Sequence, residues 1–317
     1  MSDQPVQHMQ CMEVWSGSQL TESSVEFGGL DAWIYSKPFG EAQHGGDVYY
    51  ASSCATGRIT RLLLADVSGH GSAVATTATG LRTLMRRFVN RLDQAEFVRL
   101  LNRQFAELSK DGAFATAIVT TFFAPTRRLT VCNAGHPRPL VYRASQAEAP
   151  IKGAGQRQWN FLSSGAQSAA RIRNIPLGLI ALAEYEQFDV ELEPGDCLLC
   201  YTDALIESND SDGEPLGEAG LLRIVRKLPD LGAHELTDAL LKEVAARDPA
   251  GLSEDDVTVL VVRANGRAAH YPFGQKLRAL GRFMGALLRA ERPPLPDANL
   301  ANIGGAIIPV LSRRWKL

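Results

Sequence analysis

Four stretches of the sequence set an aspartate among small residues: His44-Gly45-Gly46-Asp47, Ala65-Asp66-Val67-Ser68-Gly69-His70-Gly71, Tyr201-Thr202-Asp203-Ala204 and Glu254-Asp255-Asp256-Val257-Thr258. An Asp at the end of an apolar strand is delivered to a sheet rim by a rigid element, and neighbouring Gly lets backbone and ligands approach closely. Carboxylates brought together this way repel by about 1–4 kcal/mol per pair at ~4 Å, and stay ionised together only around cations. Hard oxygen ligands favour Mg2+ or Mn2+, and no His/Cys cluster with zinc spacing competes. Taken singly, each segment has a plainer reading. Asp after Gly-Gly is a common turn residue, and Asp255-Asp256 reads equally as a solvated turn before a strand.

The elements that must position these residues are mostly strands. Asp31–Pro38, Asp47–Cys54 and Ile59–Val67 are β-branched, aromatic and aliphatic, separated by Gly-containing segments. After Gly71 the composition changes to Ala, Thr, Leu and Arg without Pro, predicting a helix to about Asn90. A second helix follows over Gln94–Lys110, with Phe97, Leu100, Leu101 and Phe105 at helical spacing. Strands return at Phe114–Phe123, Leu129–Asn133, Gln187–Leu192, Cys197–Thr202 and Asp255–Val262, with helices over Leu216–Lys227 and His234–Arg247. Residues Arg143–Asn174 are polar and weakly patterned, predicting a long loop or flap. The order is not the regular alternation of a parallel doubly wound sheet. It predicts an α+β domain of two antiparallel sheets packed together with helices outside.

The chain has 317 residues, 45% hydrophobic and 21% charged, with a formal charge of −2. That even balance argues against nucleic acid as a partner. Residues 267–317 hold nine Lys/Arg against two Asp/Glu, a local charge of +7, which leaves −9 on residues 1–266. The polar first ten residues show no secretory signal, and no apolar run approaches the ~20 residues of a membrane span. Five scattered cysteines read as buried thiols of a cytoplasmic protein. Cys197 and Cys200 have redox-motif spacing, but three positions apart on a strand they point to opposite faces. Ser68 lacks the nucleophile-elbow pattern of a serine hydrolase.

Together and in order, the motifs are specific. Ala65–Gly71 resembles the PPM-type metal-dependent protein serine/threonine phosphatases, in particular the bacterial branch typified by SpoIIE and RsbU. The resemblance continues through Phe114-Ala115-Thr116-Ala117, Cys132-Asn133-Ala134-Gly135-His136-Pro137, Pro176-Leu177-Gly178, Leu192-Glu193-Pro194-Gly195-Asp196, Tyr201-Thr202-Asp203 and Asp255-Asp256-Val257-Thr258-Val259. It covers about residues 30–263. It implies an αββα sandwich with two Mn2+ or Mg2+ ions at one edge. Position by position, Asp66 would bridge both ions with the Val67 carbonyl beside it, Asp47 would hold one ion, and Asp203 and Asp255 the other. Asp256 belongs to the candidate ligand set, but the resemblance favours Asp255 as the direct ligand and Asp256 as a hydrogen-bonding support of the loop. His70 has two readings: general acid for the departing seryl oxygen, or a residue that orders the Asp66 loop. Asn133 and His136 read as structural, and Thr202 as a loop-ordering residue.

The resemblance further implies a cytoplasmic enzyme that hydrolyses phosphoserine or phosphothreonine on a regulatory protein, such as an anti-sigma-factor antagonist. The PPM-type domain spans 30–266, after a lead-in over 1–29, with the flap at 143–174 and a basic tail over 267–317. Two departures keep open a rival reading, a catalytically weak or silent binding module. Ala204 stands where Gly is usual, which costs energy if φ is positive, and Tyr50 stands where an acid is common. In the tail, Phe273, Leu277, Leu280, Met284 and Leu287 recur at helical spacing among Lys276, Arg278, Arg282 and Arg289. This basic amphipathic pattern suits docking on the acidic domain, or a regulatory partner at the tail; an anionic membrane surface is less favoured.

Overall fold

The computed structural model describes residues 7–8, 14–54, 57–69, 74–89, 91, 93–109, 112–144, 159–163, 174–210, 212–229, 231–248 and 251–267. The strands are β1 (Gln7–His8), β2 (Val14–Gly17), β3 (Thr21–Glu26), β4 (Leu30–Lys37), β5 (Val48–Cys54), β6 (Ile59–Val67), β7 (Ala115–Phe123), β8 (Arg128–Ala134), β9 (Leu140–Tyr142), β10 (Trp159–Phe161), β11 (Phe188–Glu191), β12 (Cys197–Tyr201) and β13 (Val257–Ala264). The helices are α1 (Ala75–Phe88), α2 (Gln94–Leu108), α3 (Ala204–Glu207), α4 (Gly217–Lys227) and α5 (Ala233–Ala245). One sheet has the order β1-β3-β4-β13-β12-β9-β10 and the other β11-β8-β7-β6-β5-β2. Among the described strands every ladder is antiparallel except the two-residue pairing of β1 with β3.

Strand alternation builds three apolar layers. On β4, Leu30, Ala32 and Ile34 face the other sheet, while Trp33 and Tyr35 face the helices. On β6, Leu62 and Leu64 face the middle, while Leu63, Ala65 and Val67 meet α1 and α2. On β12, Leu198 and Cys200 enter the middle layer, and Cys197, Leu199 and Tyr201 the layer under α4 and α5. The two cysteines therefore lie on opposite faces of the sheet. The result is an αββα sandwich, each fully buried Leu, Ile or Phe contributing about 1.5–3 kcal/mol. Helix α2 starts where the Asp93 carboxylate accepts the Glu96 N–H at 2.6 Å, and it buries Phe97, Val98, Leu101 and Phe105 against the second sheet.

The structure differs from the sequence reading at the edges. Within the expected lead-in, β2 pairs with β5 and β3 with β4, so both sheets extend into residues 14–29. Within the expected flap, Trp159–Phe161 pairs with β9 and Trp159 is fully buried. These strands are short or polar and terminate a sheet or lie near its edge, so they lack the alternation that marks β4 or β6. The tail after Arg267, including the amphipathic pattern at 273–289, lies outside the described residues. Among the described residues no helix is long and apolar enough to cross a membrane.

Candidate active site

The alternation that builds the middle layer also places the aspartates. Tyr49 and Ala51 of β5 face that layer, as do Leu62 and Leu64 of β6. Asp47, one position before β5, and Asp66, the penultimate residue of β6, belong to the same face. Val48 pairs with Ala65, so the two aspartates are cross-strand neighbours, and Asp66 itself pairs with Thr116 on β7. On the facing sheet the same parity carries Ser36, Thr202, Asp256 and Thr258 to the corresponding end. The apolar filling of the sandwich thus gives way at one rim to a polar cap drawn from both sheets.

The cap is tightly bonded. Thr202 Oγ1 donates to Asp47 Oδ2 at 2.9 Å and accepts the Thr258 N–H at 2.9 Å, while Thr258 Oγ1 and Ser36 Oγ share a hydrogen bond of 3.1 Å. Asp256 Oδ1 accepts the Phe39 N–H and Oδ2 the Gly46 N–H, both at 2.6 Å. Asp256 thereby fastens the Gly45-Gly46 turn to the end of β4, and its own N–H donates to Asp255 Oδ1 at 2.7 Å. A Cβ on Gly46 would stand 2.8 Å from the Val67 carbonyl oxygen, and one on Gly45 would overlap the Asp256 carboxylate. Both glycines are demanded by close approach.

Charge here is uncompensated. Burial, then the charges of Asp203, Asp255, Asp256 and Glu207, push Asp66 up to about 8. Burial and the Asp66 charge raise Asp47 well above its ordinary value, and burial and Glu207 raise Asp203. Among the described residues no basic side chain contributes to any of these shifts. Asp47 is 3% exposed, and its Oδ1 is buried without a hydrogen-bond partner. A buried carboxylate oxygen lacking a donor is costly unless a cation meets it, so this donor set fits a hard divalent ion. The oxygens nevertheless stand apart: among the described residues no three of these carboxylates place one oxygen each within 4.8 Å of the others.

The family model for Stage II sporulation protein E (SpoIIE) matches residues 56–265. The chain belongs to the SpoIIE family. Solved structures share its fold. The RsbU and RsbW domains of Rv1364c from Mycobacterium tuberculosis are 23% identical, with TM-score 0.57 over 86% of this chain and 72% of that one. The SiaA-PP2C domain of Pseudomonas aeruginosa is 19% identical, with TM-score 0.57 over 73% and 84%. The PP2C phosphatase domain of SpoIIE from Bacillus subtilis, with a fragment of its regulatory domain, is 19% identical, with TM-score 0.55 over 80% and 64%. No curated protein matches the chain. The sandwich is thus of the PP2C fold.

Other features of this SpoIIE-family chain bear on the site. His70 lies outside the described residues. Ser68, two residues earlier, accepts the Phe114 N–H on its hydroxyl at 3.1 Å and donates its own N–H to the Phe114 carbonyl at 2.9 Å, tying the end of β6 to the start of β7. His136 is 5% exposed, its Nδ1 2.9 Å from Thr116 Oγ1, and burial drives it down to about 3, so the imidazole is neutral. Asn133 brackets it, accepting the His136 N–H and donating to the His136 carbonyl, both at 2.8 Å. Ala204 opens helix α3 and is not among the residues with positive φ, so it carries no backbone strain. Tyr50 points into the layer beneath α1 and α2, away from the cap. Sequence reasoning missed Ser36, Thr258 and Glu207. Extending the strand parity by one rung would have found the first two; Glu207 depends on the turn into α3.

Proposed function

We propose that this chain is a metal-dependent protein serine/threonine phosphatase. It would hydrolyse phosphoserine or phosphothreonine on a regulatory protein, such as an anti-sigma-factor antagonist. The observation that carries the reading is the carboxylate rim, in which buried Asp47 and half-buried Asp66 and Asp203 are held above their ordinary range and one oxygen of Asp47 is orphaned, in a sandwich of PP2C type. Asp66 would bridge two Mn2+ or Mg2+ ions with the Val67 carbonyl alongside, Asp47 would hold one, and Asp203 and Asp255 the other. A related fold, RsbX, has been solved in complex with magnesium. Such ions, when bound, lower the pKa of a water and offset charge on the phosphoryl oxygens.

The protein's own part is placement. Thr202 fixes the Asp47 carboxylate and is itself fixed by the Thr258 backbone, so the ligand is oriented before any ion arrives. Asp256 acts as a positioning residue: with both oxygens on backbone N–H groups it sets the turn that presents Asp47. Water adds to phosphorus as the ester P–O bond breaks, and the seryl or threonyl oxygen leaves needing a proton. His70 is the candidate donor.

The test is hydrolysis of an aryl phosphate with added Mn2+, comparing the wild-type chain with Asp66→Ala. Turnover that depends on Mn2+ and vanishes in the variant supports the reading; equal rates in the two proteins sink it.

A further inference from the structure

On the opposite face of the first sheet lies a second group of ligating side chains. His234 and Asp238 stand one turn apart on α5, and Glu22 comes from β3. Glu22 pairs directly with Tyr35, whose side chain faces the α4/α5 layer, so Glu22 shares that face and not the middle layer that holds the aspartate rim. His234 Nε2 is 3.1 Å from Glu22 Oε1, and its Nδ1 is 3.6 Å from Asp238 Oδ2. One ligand atom from each of the three lies within 4.8 Å of the other two. The Trp33 ring meets the imidazole edge-on at 4.7 Å and 66°, which holds its plane.

Both ring nitrogens face a carboxylate oxygen, yet a neutral imidazole carries a single N–H. A cation at the nitrogen without hydrogen, a proton or a metal ion, replaces the opposition of its lone pair to the carboxylate by attraction. A second proton cancels one of the two negative charges; a divalent ion cancels both. The residual field also reaches the neighbouring phenol, since Tyr35 is raised by burial and then by both Glu22 and Asp238.

We propose that Glu22, His234 and Asp238 form a site for one borderline transition-metal ion of the Zn2+ or Co2+ kind, separate from the aspartate rim. One imidazole and two carboxylates suit such ions, whereas Mg2+ and Ca2+ prefer oxygen alone. Three protein ligands leave the remaining positions to water. The side chains are 40–47% exposed, so the ion enters directly from solvent. Once bound it pins the first turns of α5 to strand β3, a link between outer helix and sheet that is independent of the phosphatase reading.

Co2+ titration of the full chain tests this. The background is Asp66→Asn with Asp203→Asn, which weakens the rim as a competing site. Visible absorption of imidazole-bound Co2+ should saturate near one equivalent and be displaced by Zn2+. It should disappear in His234→Ala, with affinity falling about tenfold or more in Glu22→Gln and Asp238→Asn. If the rim variants fold poorly, the same comparison is read in the otherwise wild-type chain as a Zn2+-dependent rise in melting temperature that His234→Ala reduces. A Co2+ signal unchanged by His234→Ala, or no Co2+ binding by a folded protein, overturns the proposal. Phosphatase activity is not a readout, so this site and the rim can fail separately.

Discussion

At the scale of single residues, the raised carboxylates make stability depend on pH with a definite sign. Asp66 titrates at about 8 in the folded chain against 3.8 unfolded. Its contribution is therefore fully present below 3.8 and is lost as pH rises through about 8, with a slope of at most about 1.4 kcal/mol per pH unit. Asp47 and Asp203 shift in the same direction. Thermal unfolding in chelator should show the melting temperature falling across that window. Asp66→Asn should flatten the curve, and added Mn2+ should flatten it in the wild type. A second prediction concerns Thr202. Thr202→Val keeps the shape but removes the hydroxyl donated to Asp47 Oδ2 and the acceptor of the Thr258 N–H. Urea titration should show a loss of about 1–3 kcal/mol, with Thr202→Ser close to wild type.

At the scale of elements, the Gly45-Gly46 turn is where a small change should separate activity from folding. Gly46→Ala drives a methyl onto the Val67 carbonyl, so the turn and the Asp66 loop must part. Mn2+-dependent turnover should fall at least about tenfold while far-UV circular dichroism stays native. Asp93→Ala offers the converse. It removes the α2 cap, far from the rim, and should cost about 1 kcal/mol in denaturant unfolding with turnover unchanged. The long strands and four main helices are legible in sequence because alternation and helical spacing record which face is buried. Arg61 is not legible. It interrupts an apolar strand, and only the fold shows its guanidinium donating to Thr121 Oγ1 and to the Val89 and Arg91 carbonyls while stacking over Phe97. Val89 and Arg91, which lie between α1 and α2, are thereby clamped to β6.

At the scale of the whole molecule, the three apolar layers enclose every described cysteine thiol. Cys132, Cys197 and Cys200 are free and buried, and burial pushes Cys132 and Cys200 up to about 12. With Cys11→Ser and Cys54→Ser in place, a thiol reagent should label the native protein negligibly and react fully after urea; rapid native labelling would contradict the layer assignment.

Which residues face inward is written locally in the chain, because a strand's period is two, and so is the order of the aspartate blocks. Which of those blocks meet is a matter of long-range packing. Thr202 reaches Asp47 across 155 residues and Asp256 reaches Gly46 across 210, pairings that no local spacing encodes. The same holds for the raised carboxylates, whose titration depends on burial and on neighbours from other strands, and for Glu22, His234 and Asp238, which α5 brings together only by packing on the sheet.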